Sequence, residues 1–132
     1  MAMSNYLEEK SLGAILRGET FPKINNVYVA LFTTDPGEDG STGTEVTGGS
    51  YARKVSAFTA PVQVDGKANS YNNAEIDFGI ATATWGNITH VALFDAATGG
   101  NMLYHEALVS AKLIETNDSL RFAANNLAVS QS

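Results

Sequence analysis

No cysteine occurs in the chain. That absence removes disulfide frameworks, thiolate nucleophiles and thiolate metal sites together, so stability rests on packing or on subunit association. Histidines are only two, His90 and His105, and neither HxxxH nor HxH spacing is present. Even with Asp95 nearby in sequence they do not complete a metal site, and a structural or surface role is expected for both. Basic residues are also scarce: eight Lys and Arg face fourteen acids, for a formal charge of −6 and a pI near 4.7. Binding to nucleic acid or to an anionic membrane face is therefore not expected. No apolar run approaches the roughly 20 residues of a membrane span, and no charged-then-apolar leader opens the sequence. The expectation is a soluble chain not exported through a cleavable signal. Charged residues make up 17%, below the roughly 25% usual in globular chains. Such a lightly charged surface suits a β-rich protein partly covered by neighbours, and equally an ordinary β-sandwich.

What the sequence does have is an internal echo. Val29-Ala30-Leu31-Phe32 recurs letter for letter as Val91-Ala92-Leu93-Phe94, each copy running into a turn-rich loop. A β-branched residue, a small one, then Leu and Phe offer apolar side chains to both faces of a strand, which places both copies in mid-core, facing or adjacent. A second echo joins Glu75-Ile76-Asp77-Phe78 to Ser119-Leu120-Arg121-Phe122, both with polar and apolar residues alternating. Strict period 2 turns Ile76 and Phe78 to one face and the two acids to the other. Further strands are expected over residues 26–33, 51–58, 62–64, 87–95 and 102–109, with a last one through Val129. Asp65-Gly66 reads as a hairpin turn. Seven or eight strands at near-regular spacing predict an all-β fold, an antiparallel two-sheet sandwich of Greek-key or jelly-roll type, with one short N-terminal helix. The expected division is a helical segment over residues 1–20 and a β-sandwich domain over 21–132.

The helix is expected over residues 5–17, with Asn5 as N-cap, Glu8 in capping-box position, Arg17 in the last turn and Gly18 as the stop. Leu12, Ile15 and Leu16 share one face, with Leu7 close beside them. A helix this short is marginal alone, so something must bury that stripe: its own domain, or another subunit.

Catalytic signatures are absent. Ser50, Ser56, Ser110 and Ser119 lie in no GxSxG context, and no GxxxxGK[ST] phosphate loop occurs. The acidic loop with Asp35, Glu38, Asp39 and Glu45 does not match the calcium-loop spacing of an EF-hand and reads as solvated and mobile. Trp85, just before the second repeat strand, reads as a core residue. No enzyme, cofactor or metal is expected.

Over Asn5 to Arg17, Val27 to Gly37, Gly48 to Arg53, Trp85 to Asp95 and Gly99 to His105, nearly end to end, the chain resembles small tailed-bacteriophage virion proteins of the tail-fibre-like and capsid-decoration group. The resemblance implies a structural role in the virion, after assembly in the host cytoplasm, and brings no catalytic residues with it. Its first implication is a decoration or cement protein that clamps the head shell, with other virion proteins, above all the major capsid protein, as partners and a homo-oligomeric state. The alternative is a tail or tail-fibre component involved in attachment to the host. Partner contacts are expected from Leu7, Leu12, Ile15 and Leu16 on the helix, from Asp35, Glu38 and Asp39 in the acidic loop, and from Arg53.

Overall fold

A computed structural model of the chain describes residues 1–131. Its elements in order are β1 (Ala2–Met3), α1 (Asn5–Arg17), β2 (Val27–Phe32), β3 (Lys54–Ser56), β4 (Val62–Val64), β5 (Lys67–Tyr71), β6 (Ile76–Ile80), β7 (Gly86–Phe94), β8 (Met102–Ile114), β9 (Ser119–Phe122) and β10 (Ala128–Gln131). One sheet has the order β1-β8-β7-β2-β3, a second β10-β5-β4, and a third pairs β6 with β9. All the pairings are antiparallel. The main core joins the inner face of the five-stranded sheet to the two smaller sheets, as an all-β sandwich requires.

The repeat organises the large sheet. Its two copies pair with each other, Val29 against Leu93, Ala30 against Ala92 and Leu31 against Val91. Every Val and Leu of both copies faces the main core, at 0–2% exposure. The Ala and Phe residues face the other way and form a second cluster with Met102. Phe32 and Phe94 belong to opposite ends of the paired segment, yet their rings stack with centroids 6.1 Å apart. The Ala30–Ala92 pair between them carries no bulk, and this lets the two rings lean over it and meet.

The second echo is likewise a pair of partners. Ile76 stands opposite Phe122 and Asp77 opposite Arg121, whose side chains approach to 3.4 Å on the exposed face. Ile76 and Phe78 are buried, as the alternation requires. The Asp65-Gly66 turn closes β4 onto β5 with positive φ at both residues (53° and 78°), the type I′ pattern that matches strand twist.

Several boundaries differ from the sequence reading. Ser4, not Asn5, caps α1: its fully buried hydroxyl accepts from the Leu7 amide at 3.1 Å. Gly18 ends the helix with φ 70°, as expected. β5 is a strand the apolar pattern does not show, because Lys67-Ala68-Asn69-Ser70-Tyr71 is held by the hairpin, not by an apolar face. β8 runs on to Ile114. Between the Ala107–His90 and Lys112–Ile88 pairs, residues 108–111 stand opposite Thr89 alone, so they arch out of the sheet with Val109 fully exposed.

The loop after β2 keeps Asp35, Glu38 and Asp39 in solvent, as expected, while its backbone folds over the outer face of the sheet. Pro36 is buried and Gly40 packs over Met102 and Phe94, whereas Val46 at the far end of the loop enters the main core. Asx turns tie the loop internally, Asp35 Oδ1 accepting from the Gly37 amide at 2.8 Å and Asp39 Oδ1 from the Ser41 amide at 2.9 Å. It returns to the sheet at a bridge between Glu45 and Phe32.

Candidate partner interface

The helix lies with its apolar stripe outward. Leu7 is buried and α1 packs against β8, so the helix rests on its Leu7 side. Leu12, Ile15 and Leu16 are 58%, 76% and 74% exposed on consecutive turns. Of the four helical residues expected at a partner surface, Leu7 therefore holds the helix to its own sheet, and the other three form one open apolar face.

That face continues into a groove of about 690 Å³ whose lining includes Met1, Met3, Glu8, Leu12, Ile15 and Glu38. Three contacts fix its walls. The Ser4 amide donates to the Leu103 carbonyl at 2.9 Å, continuing the β1–β8 pairing. The Asn5 amide donates to the Glu38 carbonyl at 2.8 Å, tying the acidic loop to the start of the helix. Gln131 Nε2 donates to the Tyr104 hydroxyl at 2.8 Å and lies 3.6 Å from Met3 Sδ, which brings β10 beside the N-terminal residues. Glu38 thus joins Leu12 and Ile15 at one site. Gln131 carries no local signal for this surface, because only the fold brings β10 beside Met3 and Tyr104.

The remaining expected contacts lie elsewhere. Asp35 approaches His90 (3.9 Å) and Glu38 approaches His105 (3.6 Å), so both histidines on the outer sheet face look toward the loop. Asp39 is turned into its own Asx turn, where the Ser41 amide and hydroxyl hold its carboxyl below the usual range. Among the described residues, no three His, Asp or Glu side chains converge closely enough to hold a metal ion.

Arg53, expected at a partner surface, is turned inward with its side chain 7% exposed. Its Nε and one terminal nitrogen donate to the two Glu45 oxygens, each at 2.8 Å. The other terminal nitrogen donates to the Ala96 and Gly99 carbonyls at 2.9 and 2.8 Å. The guanidinium also lies 3.8 Å from the Phe94 ring centroid. Four of its five N–H groups are spent within the chain. Glu45 Oε2 also accepts from the Tyr51 hydroxyl at 2.7 Å, and that hydroxyl accepts from the Leu31 amide at 3.0 Å. Burial pushes the Tyr51 phenol well above its usual pKa. Arg53, Glu45 and Tyr51 therefore form a clamp that ties the loops after both repeat strands to the middle of β2.

Trp85 is a core residue, 4% exposed, with its indole N–H on the Gly49 carbonyl at 2.9 Å. No helix among the described residues is long and apolar enough to cross a membrane. Comparison with curated proteins returned no match. Residues 2–130 match the family model described as Podophage GP4 fiber I protein gp80. With nearly its whole length covered, the chain belongs to the Podophage GP4 fiber I protein gp80 family and is a phage virion structural protein.

Proposed function

We propose that the chain is a component of the phage tail fibres, which carries an attachment role through protein contacts and performs no catalysis. The observation that carries this reading is the family match over residues 2–130, whose description names a fibre protein. It favours the tail over the head shell, so the fibre alternative takes precedence over capsid decoration. Two structural features support a contact role. Leu12, Ile15 and Leu16 form an open apolar face on a folded helix, of the kind that marks protein–protein contacts. The polar side chains of the clamp, Arg53, Glu45 and Tyr51, are spent on one another and on backbone groups, which suits a rigid scaffold.

The test is a phage that lacks the chain. Under the fibre reading its particles have intact, DNA-filled heads that survive a heat challenge as well as wild type, and they adsorb poorly to the host. Normal adsorption with heads that leak DNA would overturn the reading in favour of shell decoration.

A further inference from the structure

We infer that the outward face of α1 and the groove beside it seat a segment of a second, different virion protein, apolar along its contact and flanked by lysine or arginine. The inference rests on the fibre reading, because it names the chemistry of what such a component docks on.

The first observation is orientation. The chain buries α1 through Leu7 and leaves Leu12, Ile15 and Leu16 in water, although their spacing makes them the natural core face of an amphipathic helix. Burying only Leu7 leaves the larger apolar surface open, and Met3 in the groove extends it, while the Met1 side chain packs inward on the main core. A contiguous patch of this kind marks a contact surface more often than chance exposure does.

The second observation is charge. Glu8 and Glu38 border the groove, Glu38 with one oxygen 3.6 Å from His105; no Lys or Arg belongs to the lining, and the Met1 ammonium there is paired with Glu106 at 3.7 Å. The nearest helical cations are engaged away from it: Lys10 lies over the Tyr6 ring, and Arg17 pairs with Glu19 at 3.2 Å. A second copy of this chain would bring the same two acids and the same net charge of −6 to the contact. Like charges at a shared rim suppress that pairing, whereas cationic flanks on another protein would meet both carboxylates.

The third observation is preorganisation. The groove walls are pinned by the Asn5–Glu38 backbone bond and by the Gln131–Tyr104 bond, so a ligand segment meets a surface already shaped.

Because the chain lacks cysteine, Ile15→Cys supplies one reporter thiol on the exposed stripe without disturbing the core. The full-length variant, free in solution and on purified virions, is labelled with a maleimide dye. Gln63→Cys, on the opposite edge of the three-stranded sheet from β10, serves as reference. We expect the Ile15→Cys thiol to react at the reference rate in the free chain and at least about tenfold more slowly on virions, the ratio set by the closed fraction of the interface. Equal reactivity on virions overturns the inference and leaves the fibre reading standing. Protection already present in the free chain, with sedimentation as a dimer, overturns it in favour of self-association. In a second arm, Glu8→Lys/Glu38→Lys chain is added to particles lacking the protein. It should bind at least about tenfold more weakly than wild type at low salt and lose most of the salt dependence; wild-type binding by this variant overturns the charge assignment. Immunogold labelling separates the two readings: a protected thiol on the head shell keeps the docking surface and removes the tail, and an unprotected one on the tail does the reverse.

Discussion

Replacing Arg53 by alanine is predicted to be among the most destabilising substitutions of a charged residue in this chain. The side chain is 7% exposed and its partner Glu45 only 24%, so water cannot replace the lost bonds freely. Truncation would leave a partly buried carboxylate with one remaining side-chain partner, the Tyr51 hydroxyl, and would leave the Ala96 and Gly99 carbonyls without their donor. Removing one member of a buried, hydrogen-bonded pair costs about 3–5 kcal/mol, and the exposure of Glu45 argues for the lower end. Against a total stability of roughly 5–15 kcal/mol this is a large share. Arg53→Lys keeps the charge but not the planar fork, and about 1–3 kcal/mol of loss is expected. Urea unfolding followed by tryptophan fluorescence measures both, because the single Trp85 lies in the main core. A cycle with Glu45→Ala should show coupling, the double variant costing clearly less than the sum of the singles. An Arg53→Ala loss below about 1 kcal/mol, the range of an exposed ion pair, would refute the clamp.

Asn72 is fully buried, with its amide donating to the Ala74 and Ala123 carbonyls and its oxygen accepting from the Leu127 amide. Asn72→Ala strands three backbone groups and should cost about 2–5 kcal/mol in the same assay. Gly49→Ala places a Cβ 2.7 Å from the Ala83 carbonyl and 2.8 Å from the Trp85 indole nitrogen at φ 60°; a loss of about 2 kcal/mol or more is expected, with a shift in the emission of Trp85. Tyr51 predicts a pH effect. Its pKa is raised in the folded chain, so above the unfolded value of about 10 the unfolded state releases the phenol proton while the folded state keeps it. Stability is then full below pH 10 and falls by up to about 1.4 kcal/mol per pH unit above it. Urea midpoints from pH 9 to 11 test this, with Tyr51→Phe expected to be weaker at pH 8 but to show a flatter alkaline slope.

The sheet centre was legible in the sequence because the repeat is apolar toward both faces, a pattern only a doubly covered strand satisfies. Ile76 and Phe78 were legible for the complementary reason: strict alternation admits one buried face. The helix span followed from its end signals, but its orientation did not. Periodicity identifies Leu12, Ile15 and Leu16 as a stripe without saying which side meets the sheet, and that choice was made by Ser4 and Leu7 seating the first turn. Nothing local marks Arg53 as buried, because its carbonyl acceptors Ala96 and Gly99 come from the β7–β8 loop, 43 and 46 positions away. Asn72 was hidden for the same reason. It is held by residues up to fifty-five positions away. The groove depends on N- and C-terminal residues meeting across the fold, which no local spacing reveals.

Locating the chain on intact virions with a gold-conjugated antibody or by particle imaging, and counting its copies, decides whether it is a fibre component attached through protein contacts. A fibre component gives signal confined to the tail, at a small copy number set by the rotational symmetry of the fibres. Signal spread evenly over the head shell, at the shell's repeating spacing, would contradict that assignment.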